Sequence, residues 1–339
     1  MKRFCCSSPA GQTTVLAFDK TFNLTEIHVT MAVYNNLALY RDGTQNHPIM
    51  LGPMFIHGTS DYDTYCVFFE YLKRKTRQCS SQPVLGSDDE TAMRKAMKDA
   101  FPESGTLVCE RHLQQNAADY LTNNVGVTSV SKKRVINSLF GTQGLSGAAD
   151  LVTFELRSDT ARGVISENAP GFMDYYSSRI HRLMKDNLQV SSNQRINGLD
   201  CAHWMNNGCE SANHQLKILV DWKSKSLTQL VDALYKEVQS QRTGVERAFI
   251  DRGQFTLVPE FAHYRMHAHV YEQKTDKQKE KRMAKFLREY KPVHPRAVSS
   301  DDGRLTVLKA SNGGKKPGQT KRKRCVKVLD AHQYFRYLI

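Results

Sequence analysis

Three acidic side chains stand where this sequence could use them for chemistry. Asp19 follows directly on the apolar run Val15-Leu16-Ala17-Phe18, and Asp88 follows the short run 83–86 (PVLG) after a single serine. Both are placed as carboxylates at the end of a β-strand, the side of an open α/β sheet where ligands gather. Two carboxylates meeting there repel each other unless a cation joins them. Mg2+ takes such hard oxygen ligands and completes its shell with water and substrate phosphate. A third carboxylate from a helix would complete a two-metal site, and Glu210 is the candidate. Around it, Glu210, Asn213, His214 and Lys217 fall on one polar stripe at helical spacing, with Leu216, Leu219 and Val220 turned toward the core. Two ions about 4 Å apart clamp an in-line displacement at phosphorus. The three carboxylates would then position metals rather than act as general bases. Single acids at strand ends are more often caps or solvated groups, so position alone does not decide between the two.

The elements that must position these residues can be traced along the chain. Three strand-like runs open it, at 13–18 (TTVLAF), 27–34 (IHVTMAVY) and 48–57 (PIMLGPMFIH), the last interrupted by Gly52-Pro53. Turn residues between them, Asp42-Gly43 included, give an antiparallel meander. Tyr65, Phe68, Phe69 and Leu72 recur at helical spacing behind the cap candidates Thr59, Ser60 and Asp61. A fourth strand at 83–86 leads into a helix whose Ala92/Met93, Ala96/Met97 and Ala100/Phe101 share a face and which Pro102 stops. A fifth strand, 106–109, runs into Glu110-Arg111-His112. The order β-β-β-α-β-α-β is that of an α/β domain with a mixed sheet. From about 113 to 200 helical patterns dominate. Further helices are expected from Gly208 to about Trp222 and from Ser226 to about Arg247, the latter with Leu227, Leu230, Val231, Leu234 and Val238 on one face. The expected organisation is a disordered segment 1–12, a core 13–225 with a helical insertion at about 118–200, a helical region 226–290, and a basic, mostly flexible tail 291–339.

Composition narrows the partners. The 339 residues carry 48 Lys and Arg against 34 Asp and Glu, a formal charge of +14, and a pI near 9.4. That excess suggests a polyanionic partner, nucleic acid being the commonest. Lys321-Arg322-Lys323-Arg324 resembles a nuclear-import or phosphate-contact cluster, so the nucleus is the expected compartment. No run of 18 apolar residues is present, and no membrane partner is expected. Eight cysteines with irregular spacing do not form a disulfide framework in a chain of this length.

Five segments, in order, resemble one family. Asp19-Lys20-Thr21-Phe22 is similar to the first catalytic motif of Mutator-like (MULE) transposases, and Gly52-Pro53-Met54-Phe55-Ile56-His57 to a segment of the same family. Gly86-Ser87-Asp88-Asp89-Glu90 resembles its second acidic motif, with Asp89 in place of the usual glycine, where it would either crowd the metal site or point to water. Phe101-Pro102 followed by Cys109-Glu110-Arg111-His112-Leu113 and Asn116 resembles its C-x-x-H block. Glu210-Ser211-Ala212-Asn213 through Lys217 resembles its third motif. The matches cover about residues 13–220. The resemblance implies an RNase-H-like (DDE transposase) fold with an all-helical insertion before the last acid. It implies catalytic and metal-binding Asp19, Asp88 and Glu210, two Mg2+ ions that Mn2+ can replace, and double-stranded DNA, both transposon ends and target, as substrate. The reaction implied is phosphodiester hydrolysis followed by strand transfer, and pairing of two ends would suit a homodimer.

The block Cys109-x-x-His112 admits three readings: a buried thiol beside a core histidine, a histidine contacting DNA near the cut, or half of a zinc site completed by Cys201 and His203, whose spacing is unlike familiar zinc motifs. Cys109, His112, Asn213 and Lys217 are expected to support the motifs or contact DNA. Lys217, Lys223, Lys225 and the tail could hold the DNA backbone. Trp204 and Trp222 either pack in the core or stack on a flipped base. Two alternatives stand beside an active transposase. One is a catalytically silent, transposon-derived DNA-binding or chromatin protein, in keeping with the lack of a recognisable end-recognition module before Thr13 or after Glu210. The other is a related nuclease acting on RNA.

Overall fold

The computed structural model describes residues 14–21, 24, 27–76, 83–195, 203–288, 297–299 and 305–307. The expected N-terminal segment 1–12, Phe22 of the first motif, Cys201 and the basic cluster 321–324 lie outside the described residues. The chain divides into two compact units, Met1–Lys291 and Pro292–Ile339.

At the centre of the first unit is a five-stranded mixed sheet, order β4-β2-β1-β5-β6. Strands β1 (Val15–Thr21) and β4 (Ile49–His57) flank β2 (His28–Asn35) and are each antiparallel to it, whereas β5 (Val84–Ser87) and β6 (Thr106–Val108) run parallel to β1. The short β3 (Leu39–Arg41) belongs elsewhere, as described below. Gly52-Pro53 does not interrupt the third long strand. The ladder shifts between Met31–Met54 and Val33–Leu51, so two residues of β4 face one of β2. Such a bulge on an edge strand is where a proline, lacking an N–H, can sit.

Strand alternation decides what each residue meets. Leu16 and Phe18 join the core beneath α1 (Tyr62–Thr76) and α2 (Thr91–Ala100), with Tyr65, Phe68, Phe69, Met93 and Met97. Ala17 faces the opposite side, where Met31 and Val33 pack under Cys209, Ala212 and Leu216 of α8 (Asn207–Leu219) and Leu230 and Leu234 of α9 (Leu227–Ala248). By the period of two, Asp19 projects to the α8 side with Ala17, and Lys20 to the α2 side with Phe18. Full burial of each large side chain contributes about 1.5–3 kcal/mol, which fixes the register, and with it the direction of Asp19.

The helical region forms a second core. It comprises α3 (Glu110–Tyr120) running into a π-turn at Leu121–Val125, α4 (Ser129–Phe140), α5 (Leu151–Asn168), α6 (Met173–Tyr175), a second π-turn at Tyr176–Ile180, and α7 (His181–Arg195). Leu113, Leu121, Val135, Leu139, Phe154, Ile165, Phe172, Tyr176 and Leu183 fill its interior. Polar contacts dock it on the sheet. Asn187 of α7 donates to the Val108 carbonyl at 2.8 Å and accepts from its N–H at 2.9 Å, covering the edge strand β6. Arg179, in the second π-turn, reaches Asp89 just beyond β5.

After α8 (Asn207–Leu219) and α9 (Leu227–Ala248), the chain forms β7 (Phe255–Leu257), which pairs antiparallel with β3. A capping box of Ser226 and Gln229 starts α9. Phe249, Phe261, Tyr264 and Phe286 cluster against Leu39 and Leu257. This region, read as helical from the sequence, therefore contains a strand, and its ladder partner lies more than 200 residues upstream. The helices α10 (Ala268–Glu272) and α11 (Asp276–Arg288) complete it; α11 is densely charged yet buries Met283 and Phe286. In the second unit, β8 (Ala297–Ser299) and β9 (Leu305–Val307) form an antiparallel pair. Among the described residues no helix is long and apolar enough to cross a membrane.

Candidate metal centre beyond strands β1 and β5

The parallel ladder pairs Phe18 with Ser87, so the next residues, Asp19 and Asp88, stand side by side where β5 ends. Asp19 lies inside β1, since the strand continues to Thr21 past the end expected at Phe18. Its two oxygens are held from opposite directions. The Lys20 N–H donates to Oδ1 at 2.8 Å, and the side-chain amide of Asn213 donates to Oδ2 at 2.6 Å. Burial, and then the charge of Asp88, push the Asp19 carboxyl up to about 7. Near pH 7 the pair thus still holds about half a proton, and a cation would favour the fully ionised pair in its place.

Asp88 is held in the opposite sense. Burial alone would raise its pKa, but His112 and Asn206 overcome this and keep the carboxylate below its usual range. The Asn206 amide donates to Asp88 Oδ1 at 2.9 Å and, more weakly, to the Phe18 carbonyl at 3.4 Å. His112 Nδ1 lies 3.0 Å from the same Oδ1, and the Asp88 carboxylate raises the imidazole to about 10, with Cys109 adding to the effect.

Cys109 and His112 reach this place for a local reason. Cys109 follows β6 and is tied to β5 by its N–H on the Ser87 carbonyl at 3.1 Å. It is the N-cap residue of α3, and His112 lies one turn along. Asp88, Cys109 and His112 each present a ligand atom, all within 4.8 Å of one another, and can hold a metal ion. Cys109 is buried, as the first reading of the C-x-x-H block has it, but His112 is half-exposed and faces Asp88 rather than the core. His203 does not join them: it pairs with Glu110 at 2.8 Å.

Glu210 sits in the first turn of α8, one turn before the Asn213 that holds Asp19. Its carboxylate is turned to Arg111 at 2.7 Å. The polar stripe therefore reaches the centre through Asn213, with Glu210 at its rim. Lys217 lies two turns, about 10 Å, along the helix from Glu210, with its Nζ 5.8 Å above the ring of Trp222. Leu219, expected in the core, is 37% exposed, whereas Leu216 and Val220 are buried. Trp222 is exposed and Trp204 half-buried; a Cβ on Gly86 would collide with the Trp204 ring, so this glycine makes room for it.

Two features were not legible from spacing. Asp89 neither crowds the carboxylates nor points to water. Its side chain is 1% exposed and binds Arg179 at 2.8 Å, Arg94 at 3.1 Å and Asn116 at 3.1 Å, joining the sheet, α2, α3 and the helical region. Asn206 is the second. An asparagine just before a helix signals an N-cap, but this one makes no cap bond and turns inward to Asp88. On the α2 side, Lys20 pairs with Glu90 at 3.0 Å, and Glu90 accepts from Tyr65 at 2.9 Å. His57 bridges Thr30 at 2.8 Å and the Thr59 carbonyl at 2.6 Å, and its burial lowers its pKa. It locks β4 to β2, two strands from Asp19. A cleft lined by Phe18, Asp19, Lys20, Asp88, Glu90 and Met93 opens over the carboxylates. No family model and no curated protein matches the chain.

Proposed function

We propose that the chain is a metal-dependent DNA transposase core of the Mutator-like type, cutting and transferring phosphodiester bonds with Asp19, Asp88 and Glu210. One observation carries the reading. Two carboxylates from adjacent parallel strands meet where β5 ends, with Asp19 raised to about 7 by burial and by its neighbour. The sheet order, three antiparallel strands followed by two parallel ones, and the helical region between β6 and α8 support an RNase-H-like fold.

The donor set fits Mg2+ or Mn2+ at Asp19 and Asp88, since both are oxygen ligands beside an open cleft. When bound, the divalent ions would neutralise the phosphodiester and activate the attacking water or 3′-hydroxyl. The chain's own groups prepare that place. Asn213 and the Lys20 N–H fix the Asp19 oxygens, and Asn206 fixes Asp88. Arg111, freed from Glu210, would set positive charge near the carboxylates for the DNA backbone. For Glu210 to join the other acids, its ion pair with Arg111 must open. Both side chains are partly exposed, at 58% and 33%, so opening costs about 1 kcal/mol or less. Double-stranded DNA, a homodimer and a nuclear location belong to the same reading.

The Glu210–Arg111 pair also favours a second reading, a silent DNA-binding protein on the same fold, in which this acid serves structure alone. Nicking of supercoiled plasmid with Mg2+ or Mn2+ separates the two. The transposase reading expects nicking by the wild type that is lost in Asp88→Asn and Glu210→Gln. Salt-sensitive DNA binding without nicking, kept in both variants, would overturn it in favour of the silent protein.

A further inference from the structure

Asp88, Cys109 and His112 form a donor set that differs in kind from the Asp19–Asp88 pair. One oxygen, one sulfur and one imidazole nitrogen lie within 4.8 Å of one another. Thiolate and imidazole are ligands for Zn2+ and its neighbours in the first transition row, and poor ones for Mg2+. The surroundings already accommodate charge on the sulfur, because the Asn206 N–H donates to Cys109 Sγ at 3.3 Å. Asn206 is 1% exposed and touches two of the three ligands, yet its Oδ1 accepts nothing. His112 Nδ1 stands 3.0 Å from Asp88 Oδ1, so nitrogen, oxygen and sulfur converge on one place. A buried carbonyl oxygen without a partner beside these three donors is one that a bound ion can satisfy.

We propose that Asp88, Cys109 and His112 bind a thiophilic transition-metal ion of the Zn2+ class, with the Asn206 side-chain carbonyl beside it as a further donor. This site is distinct from the Mg2+ position between Asp19 and Asp88 and shares only Asp88 with it. His203, paired with Glu110, is not a ligand. Binding releases the thiol and imidazole protons to solvent. An ion held here fixes the start of α3 to the end of β5, and so orients one carboxylate of the neighbouring centre.

The test adds Co2+ alone to the full chain, purified with chelator and reductant and then desalted. A sulfur-to-cobalt charge-transfer band should grow to one equivalent. Zn2+ should abolish it stoichiometrically, and a hundredfold excess of Mg2+ should leave it. The band should vanish in Cys109→Ser and persist in Asp19→Asn and Glu210→Gln. Because Cys109 is buried, His112→Gln is measured alongside. It should keep the wild-type circular dichroism and lower Co2+ affinity about tenfold or more. Absence of the band in wild type, its survival in Cys109→Ser, or unchanged affinity in His112→Gln would overturn the proposal. The plasmid assay reads a different ion, so a failure to nick DNA with Mg2+ leaves this result standing, and the reverse also holds.

Discussion

Replacing Asp19 by asparagine should make the metal-free protein more stable at pH 8 and no more stable at pH 5. The folded Asp19 carboxyl titrates at about 7, against an ordinary value of 3.8. At about 1.4 kcal/mol per unit this corresponds to about 4 kcal/mol of disfavoured charge. A group whose folded pKa is raised contributes fully below its unfolded pKa and loses that contribution as pH rises through the folded value. The wild type should therefore weaken between about pH 4 and 7 on account of this residue. Part of the 4 kcal/mol belongs to the shared proton with Asp88, and asparagine gives up one acceptor, worth about 1 kcal/mol. Asn213 can recover some of that loss, since its own Oδ1 has no partner and a flipped amide would accept from the new side chain. The net expectation is a gain of about 1–3 kcal/mol at pH 8, read from urea unfolding of both proteins at pH 5 and pH 8 in chelator. His112 titrates in this range only in the unfolded chain, and it is common to both proteins, so the difference isolates Asp19. A variant that loses stability equally at both pH values would refute the account of two acids crowded into one buried place.

Three further outcomes follow from the same contacts. Asp89→Ala leaves Arg179, Arg94 and Asn116 without their common buried acceptor. It should cost about 3 kcal/mol and increase amide exchange in α7 more than in β2. Gly86→Ala forces a methyl against the Trp204 ring and Val15. It should cost about 1–3 kcal/mol by overpacking, with Trp204→Leu recovering part of the loss in the double variant. In metal-free protein the His112 imidazole should stay protonated to about pH 10, followed by NMR. Its stabilising contribution is complete below about 6.5 and is lost as pH rises through about 10, so Asp88→Asn should return the titration toward the ordinary histidine range.

What the sequence disclosed is what local pattern can encode. The apolar periodicity of α2 and α9, the caps that start α9, and the alternation of β1 and β2 all appear in the linear string, because each is decided within a few residues. The places of Asp19 and Asp88 after two apolar runs were also readable, but not that β1 and β5 are neighbours in the sheet, which sets the two acids side by side. Long-range decisions were not. β7 is three residues whose partner is β3, and no local signal names a partner across the sheet. Gly52-Pro53 looks like an interruption until the ladder shows a bulge on an edge strand. Asp89 takes its role from Arg179, 90 positions away, on a π-turn that composition does not announce. Glu210 faces Arg111 because the loop through Trp204 to Asn206 lays the start of α8 against α3, a contact sealed by the Glu110 N–H on the Trp204 carbonyl at 3.1 Å.

The central claim is that a divalent cation replaces the proton shared by Asp19 and Asp88. Proton release on adding Mg2+ to weakly buffered, metal-free protein at pH 6 measures this directly. About one proton per chain should appear at saturation in the wild type, and none in Asp19→Asn. Mg2+ binding without proton release in the wild type, or equal release in the variant, would contradict the account.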